Sequence, residues 1–299
     1  MHPHSIFPHG NFRGAADHAR RDDQQELRRL HCKSQVKRHA PGAWLARALG
    51  ALIVASVGTG CDRSAEHSPA PRGTTATTAT ASAPNTSALS SVVVLTGNAQ
   101  ASQRLPLVVA LHGLGDRPES FATLFDGISW QARIVLLRAP LPFGDGYSWF
   151  PYRPGQSDEE RARVLQAPAA LVAKEIGAME TRYPTQGRPM VTGFSQGGML
   201  AFAIASQHPT RVGAAFPVGG LLPRPLLPKN SAAAPLVVAL HGANDTRVPT
   251  ADGEHSVSEL KSVGYDARFE AFPEVGHSIS PAMRQRLHAL IHEQIQRAR

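Results

Sequence analysis

The spacing of apolar and polar residues changes character near residue 91. Beyond it, short apolar runs recur at Ser91-Val92-Val93-Val94-Leu95, 107–111, 134–137, 189–194, 212–218 and 236–240, and Ala267 to Phe272 reads as a further strand. Leu107-Val108-Val109-Ala110-Leu111 has no polar alternation at all. Continuous runs of this length are what strands buried on both faces look like. Between them lie segments that read as helices over 118–130, 158–182, 196–207, 252–263 and 281–297. Pro168 stands inside the longest of these, where a proline removes a hydrogen bond and is expected to kink the helix. Strands alternating with helices predict an α/β fold with a doubly wound, mostly parallel sheet. The stretch Leu141 to Gln156 reads as the longest structureless insertion, on the site side of the sheet.

Ahead of residue 91 the chain shows no core-forming pattern. Residues 1–43 are polar and rich in His and Arg, the composition of a segment that buries too little to fold. Ala48 to Gly60 is an uncharged run of thirteen residues ending at Cys61. A membrane span takes roughly 20 apolar residues, so this run reads as the apolar part of a secretory signal. Residues 62–90 are mostly Ala, Ser, Thr and Pro, the composition of a flexible linker. The expected organisation is therefore a leader over 1–60, a tether over 61–90 and one folded domain over 91–299.

Charge and cysteine content refine this picture. The formal net charge is +8. Residues 1–60 carry nine Lys and Arg against four Asp and Glu, whereas 91–299 carry twenty against seventeen. The basic character belongs largely to the leader and is not read as nucleic-acid binding. The two cysteines, Cys32 and Cys61, both precede the folded part. That part is expected to hold no disulfide and no cysteine-based metal site. Val57-Gly58-Thr59-Gly60-Cys61 resembles a bacterial lipoprotein processing site, with Gly58 where such signals usually carry Leu. Cys61 is thus a candidate lipid attachment point. Ordinary signal cleavage nearby is the alternative, leaving a periplasmic or secreted product.

Candidate chemistry centres on Gly193-Phe194-Ser195-Gln196-Gly197-Gly198. A strand enters it and a helix leaves it, the context that a G-x-S-x-G nucleophile elbow requires. Serine needs a base, and the base needs an orienting acid. In an open α/β sheet the ligand site lies at the carboxyl ends of the strands. Asp245 follows the run 236–240 and His277 follows 267–272. The order Ser195, Asp245, His277 is that of α/β-hydrolases. Asp245 also suits a simple turn, and Asp252 and Glu274 are other acids nearby. His112, His241, His208 and His255 are rival bases. The first two precede glycines after strands and read as loop-shaping, the last two as helix-surface residues. The oxyanion hole is expected from the backbone N–H of Gln196 and of Leu114 in His112-Gly113-Leu114-Gly115; a plain glycine-rich turn is the alternative.

Four motifs now stand in order: His112-Gly113-Leu114-Gly115-Asp116, the Ser195 elbow, His241-Gly242-Ala243-Asn244-Asp245-Thr246-Arg247-Val248-Pro249 and Gly276-His277-Ser278-Ile279. Together they resemble the phospholipase/carboxylesterase family, which includes acyl-protein thioesterases and small bacterial carboxylesterases, over about residues 91–297. The resemblance implies hydrolysis of carboxylic esters or thioesters without a cofactor or metal. It maps the oxyanion donors onto Leu114 and Gln196. It also gives Tyr147-Ser148-Trp149-Phe150 as the counterpart of a Trp-containing segment, so that Trp149 and Phe150 would line an acyl pocket or else pack within their loop. The leader and tether depart from intracellular members, and the hairpin expected at the domain's start is reduced in 91–106. The expectation is an exported, lipid-anchored serine esterase acting on a small-molecule ester, with membrane anchoring through Cys61. A peptidase or polyester depolymerase on the same fold, or an inactive tethered binding protein, are the alternatives.

Overall fold

The computed structural model describes residues 89–298. The leader, Cys61 and nearly all of the tether lie outside the described residues. The strands are β1 (Ser91–Thr96), β2 (Leu107–Leu111), β3 (Ala132–Leu137), β4 (Leu141–Phe143), β5 (Gly146–Ser148), β6 (Met190–Phe194), β7 (Ala214–Val218), β8 (Leu236–Gly242) and β9 (Ala267–Phe272). The α-helices are α1 (Pro118–Phe121), α2 (Asp158–Arg182), α3 (Gln196–Gln207), α4 (Thr250–Ser262) and α5 (Pro281–Arg297).

Seven strands form one sheet in the order β1-β3-β2-β6-β7-β8-β9. All neighbours run parallel except β1, which pairs antiparallel with β3 at the edge. This is the α/β, doubly wound, mostly parallel arrangement expected from the apolar runs. The alternation of side chains along a strand divides the core into two layers. Leu107, Val109 and Leu111 of β2 face the layer made by Leu165, Val172 and Ile176 of α2, Leu200 of α3 and Leu260 of α4. Val108 and Ala110 face Phe121 of α1 and Met283, Leu287 and Ile291 of α5. Covering both faces explains why β2 is apolar at every position.

Local signals set the helix ends. Ser157 caps α2: its Oγ accepts from Glu160 N at 3.3 Å, and the Glu160 carboxylate accepts from Ser157 N at 2.9 Å. This reciprocal box satisfies two N–H groups that the first turn would leave open. Asp158, Glu159 and Glu160 add negative charge where the helix dipole favours it. The helix is continuous through Pro168.

Two expectations are corrected. The helix expected over 118–130 is only α1 followed by a 3-10 turn over Ala122–Phe125. Asp126 turns extended, with φ −63° and ψ 143°, and Gly127 takes φ 78°. That backbone cannot continue a helix, so 128–130 run on as a connection to β3. The insertion 141–156 is not structureless either. Its first half is the β4–β5 hairpin, turned through Gly144 at φ 55°. The hairpin docks on the loop after β2, where Gly115 N donates to Tyr147 O and Tyr147 N donates to Asp116 O, at 2.8 and 3.1 Å.

Candidate active site

The strand β6 delivers Ser195 to the carboxyl end of the sheet and α3 begins at the next residue. Ser195 takes φ 55° and ψ −114°, a region that costs a non-glycine residue of order 1–3 kcal/mol. Its backbone is held there from both sides. Ser195 N donates to Val218 O of β7, and Ser195 O accepts from Met199 N, each at 2.9 Å. The turn is tight enough that a Cβ at Gly197 would run into the Leu111 carbonyl of β2. The glycine is required by that approach.

Asp245 and His277 come from loops that are joined by backbone bonds. Ala243 N donates to Phe272 O and Asn244 N to Val275 O, both at 2.9 Å. The register of β8 against β9 thereby sets the separation of acid and imidazole. A Cβ at Gly242 would collide with the carbonyls of Val275 and Gly276. The side chains then form one chain of hydrogen bonds. Ser195 Oγ lies 2.9 Å from His277 Nε2, and His277 Nδ1 lies 2.7 Å from Asp245 Oδ2. A carboxylate only accepts, so Nδ1 carries the proton and Nε2 accepts from the serine hydroxyl. Oδ1 of Asp245 accepts from Arg247 N and Val248 N at 2.9 and 3.0 Å. The carboxylate is 1% exposed and the imidazole 12%. Phe194 packs against the His277 ring, with centroids 4.9 Å apart.

Gln196 is the first residue of α3, so its N–H is one that a helix leaves without an internal acceptor. The buried side chain does different work. Its Oε1 accepts from Trp149 N at 3.0 Å and Ser148 Oγ at 3.2 Å, and its Nε2 donates to Phe150 O at 3.0 Å. Trp149 and Phe150 are 1% and 3% exposed. Here they brace the loop after β2, the Trp149 indole N–H donating to His112 O at 2.9 Å. The open aromatic face beside this loop is that of Phe143, half-exposed on the hairpin and packed near Gly115. A lone exposed Phe carries no pattern in the sequence that singles out Phe143.

Leu114 lies in the same loop, half-buried. His112, which precedes it, is fully buried. Its Nε2 accepts from Ala139 N at 3.2 Å and its Nδ1 donates to Gly113 O at 2.7 Å. Burial lowers its pKa, in keeping with the neutral tautomer those partners require. His112 shapes its loop, as expected. His208 caps the end of α3 half-buried, and His255 is exposed on α4. Asp252 lies within α4 and Glu274 sits at φ 60° before His277; neither is bonded to the imidazole. A groove of about 680 Å³ opens beside the site between α1 and the start of α5. Asp116, Phe194 and Ile279 line it. Among the described residues no group of three or more His, Cys, Asp or Glu is placed to hold a metal ion.

The model of the phospholipase/carboxylesterase family matches residues 93–295. The chain belongs to that family, a family of hydrolases. Among its relatives, a protein of Oryza sativa subsp. japonica named a probable inactive carboxylesterase is 27% identical over 209 residues, 60% of this chain and 82% of that one. Acyl-protein thioesterase 1 of Gibberella zeae is 25% identical over 226 residues, 65% of this chain and 93% of its own. Among solved structures, that of esterase PE8 superposes with a TM-score of 0.59 at 24% identity, covering 69% of this chain and 98% of that one. At that identity the superposition speaks for the fold alone. This family member shares its fold with that structure.

Proposed function

We propose that this protein is a serine hydrolase that cleaves carboxylic esters or thioesters through Ser195, His277 and Asp245. The observation that carries the reading is the unbroken hydrogen-bond chain from Ser195 Oγ to Asp245, with the serine on a strained turn. Family membership and the esterases and thioesterase among its relatives support it.

The reaction follows from those groups. Ser195 Oγ attacks the acyl carbon as His277 Nε2 takes its proton. Asp245 holds the imidazole in the tautomer that can accept it and faces the imidazolium that forms. The oxyanion of the tetrahedral intermediate takes hydrogen bonds from Gln196 N and Leu114 N, with the positive end of α3 behind it. Collapse expels the alcohol or thiol, which receives the proton from His277. Water then repeats the sequence on the acyl-enzyme, with His277 as base, and releases the acid and free Ser195.

The test is purified protein with a fluorophosphonate probe and a series of p-nitrophenyl esters of rising chain length. Wild type should be labelled and should hydrolyse at least one ester. Ser195→Ala should lose both while melting as wild type does. Labelling of another serine in that variant, or an unlabelled and inactive wild type, overturns the reading. The latter leaves a binding protein on a hydrolase scaffold.

For location, the short apolar run before Cys61 supports an exported lipoprotein. Several acyl chains anchor a protein stably where one does not. Expression of the full chain in a bacterium should put wild type in the detergent-released membrane fraction with an acylated Cys61, and Cys61→Ala in the soluble one. A soluble wild type without an acyl mass rules this out.

A further inference from the structure

A second imidazole meets the Asp245 carboxylate. His241 stands on β8 and is 1% exposed. Its Nε2 lies 2.9 Å from Val248 O and 3.4 Å from Asp245 Oδ2, the oxygen that also receives His277. Both neighbours are acceptors, so Nε2 carries the hydrogen in the neutral ring. The shorter contact is a hydrogen bond. The longer one is a close approach of the ring nitrogen to the carboxylate, short of a full bond. The ring has little room to turn away. A Cβ at Gly253 of α4 would stand 2.5 Å from its Nδ1, and Phe269 of β9 packs on it with centroids 6.0 Å apart. Among the described residues, Asp245 is the ionisable side chain recorded against His241, while His277 faces Asp245, Ser195 and the Phe194 ring.

We propose that His241 is a positioning residue for Asp245, closing the acid loop through Val248 and setting a second N–H against Oδ2. This rests on the reading of Asp245 and His277 given above. Two consequences follow from the geometry. The carboxylate is confined to one rotamer, with Oδ1 on two backbone N–H groups and Oδ2 between two imidazoles. Its negative charge is also divided between those imidazoles. Removing the His241 donor leaves more of that charge to the His277 imidazolium, and an opposite charge favours the protonated form.

The experiment follows the His277 ring C–H resonances through a pH titration with no substrate present, beside pH profiles of kcat and kcat/KM. The variants are His241→Phe, His241→Asn and His241→Gln. Asparagine keeps a polar group but does not reach Oδ2, and it carries the comparison should phenylalanine fail to fold. Glutamine places an amide donor near the Nε2 position and should restore wild-type behaviour. For His241→Phe or His241→Asn the titration midpoint and the acid limb of kcat/KM should move to higher pH. Their kcat should fall by roughly tenfold with KM unchanged, as expected when a reacting group is misplaced. Thr250→Val serves as control, because it removes the 2.6 Å Thr250 Oγ1 to Gly242 O bond of the same loop without touching Oδ2. An unmoved midpoint in the folded variants, or an equal movement in Thr250→Val, overturns the proposal. A moved midpoint in a protein that hydrolyses no ester would overturn the proposed function and leave this placement standing.

Discussion

The two ends of the sheet bury polar groups in opposite ways. At the carboxyl ends of the strands the buried groups include His112, His241, Asp245 and Gln196. They bond one another, His277 or nearby backbone, and most can gain or lose a proton. At the amino ends the buried charged side chain is Arg133, 1% exposed. Its guanidinium donates to Ala101 O at 2.7 Å and Pro184 O at 3.3 Å, and it lies 4.6 Å over the Tyr183 ring. No carboxylate pairs with it among its recorded partners. A permanent cation held by carbonyls ties the loops before β2 and β6 and has no chemistry to offer. The contrast teaches that burial of polar groups alone does not mark a site. Partners that can exchange protons, next to a strained serine, point to one.

The largest expected effect falls on the carboxyl-end network. Asp245→Asn keeps Oδ1 on its two backbone donors and so turns the amide NH₂ toward His277. The imidazole must then accept at Nδ1 and carry its proton on Nε2, where it can no longer accept from Ser195. A loss on the order of 10⁴-fold in kcat is expected by analogy with the serine-protease triad. Asp252→Asn, one of the other nearby acids, should change kcat little. Steady-state kinetics of both variants checks this, and a larger loss in Asp252→Asn moves the acid role.

The amino-end cation should behave in the reverse manner. Arg133→Met strips donors from buried carbonyls and should lower stability by roughly 3 kcal/mol. Hydrolysis per probe-labelled site should stay at the wild-type level. Urea unfolding with active-site titration separates the two. A large fall in turnover with little change in stability would break the division between the two ends.

The smallest effect concerns pH. Burial lowers the pKa of His112, His208 and His288. Unfolded, each binds a proton near the ordinary value of about 6.5. Below that pH the unfolded chain holds more protons than the native one, so stability falls as pH falls. The loss begins near that value and continues until the lowered native pKa is passed. Melting temperature should therefore drop on acidification through this range, and His208→Asn should drop less steeply. An identical slope in both would remove His208 from the account.

Much of the site could be read in the chain itself. Apolar runs with helices between them are enough for a mostly parallel sheet, because central strands buried on both faces, such as 107–111, leave no polar alternation. Ser195, Asp245 and His277 each follow a strand, and a parallel sheet brings all its strand ends to one edge. Chain order therefore carried spatial proximity for residues up to 82 positions apart. Other features had no local signature. Whether Trp149 is open or buried depends on Gln196 and His112, one 47 and the other 37 positions away. The hairpin at 141–148 is marginal by itself and holds its shape by docking on the loop after β2. His241 looked like one more His-Gly after a strand until Val248 and Asp245 folded back onto it. Periodicity reports which face of an element is buried. It does not report which polar atoms meet there, because those meetings are made by loops whose paths only the packed structure decides.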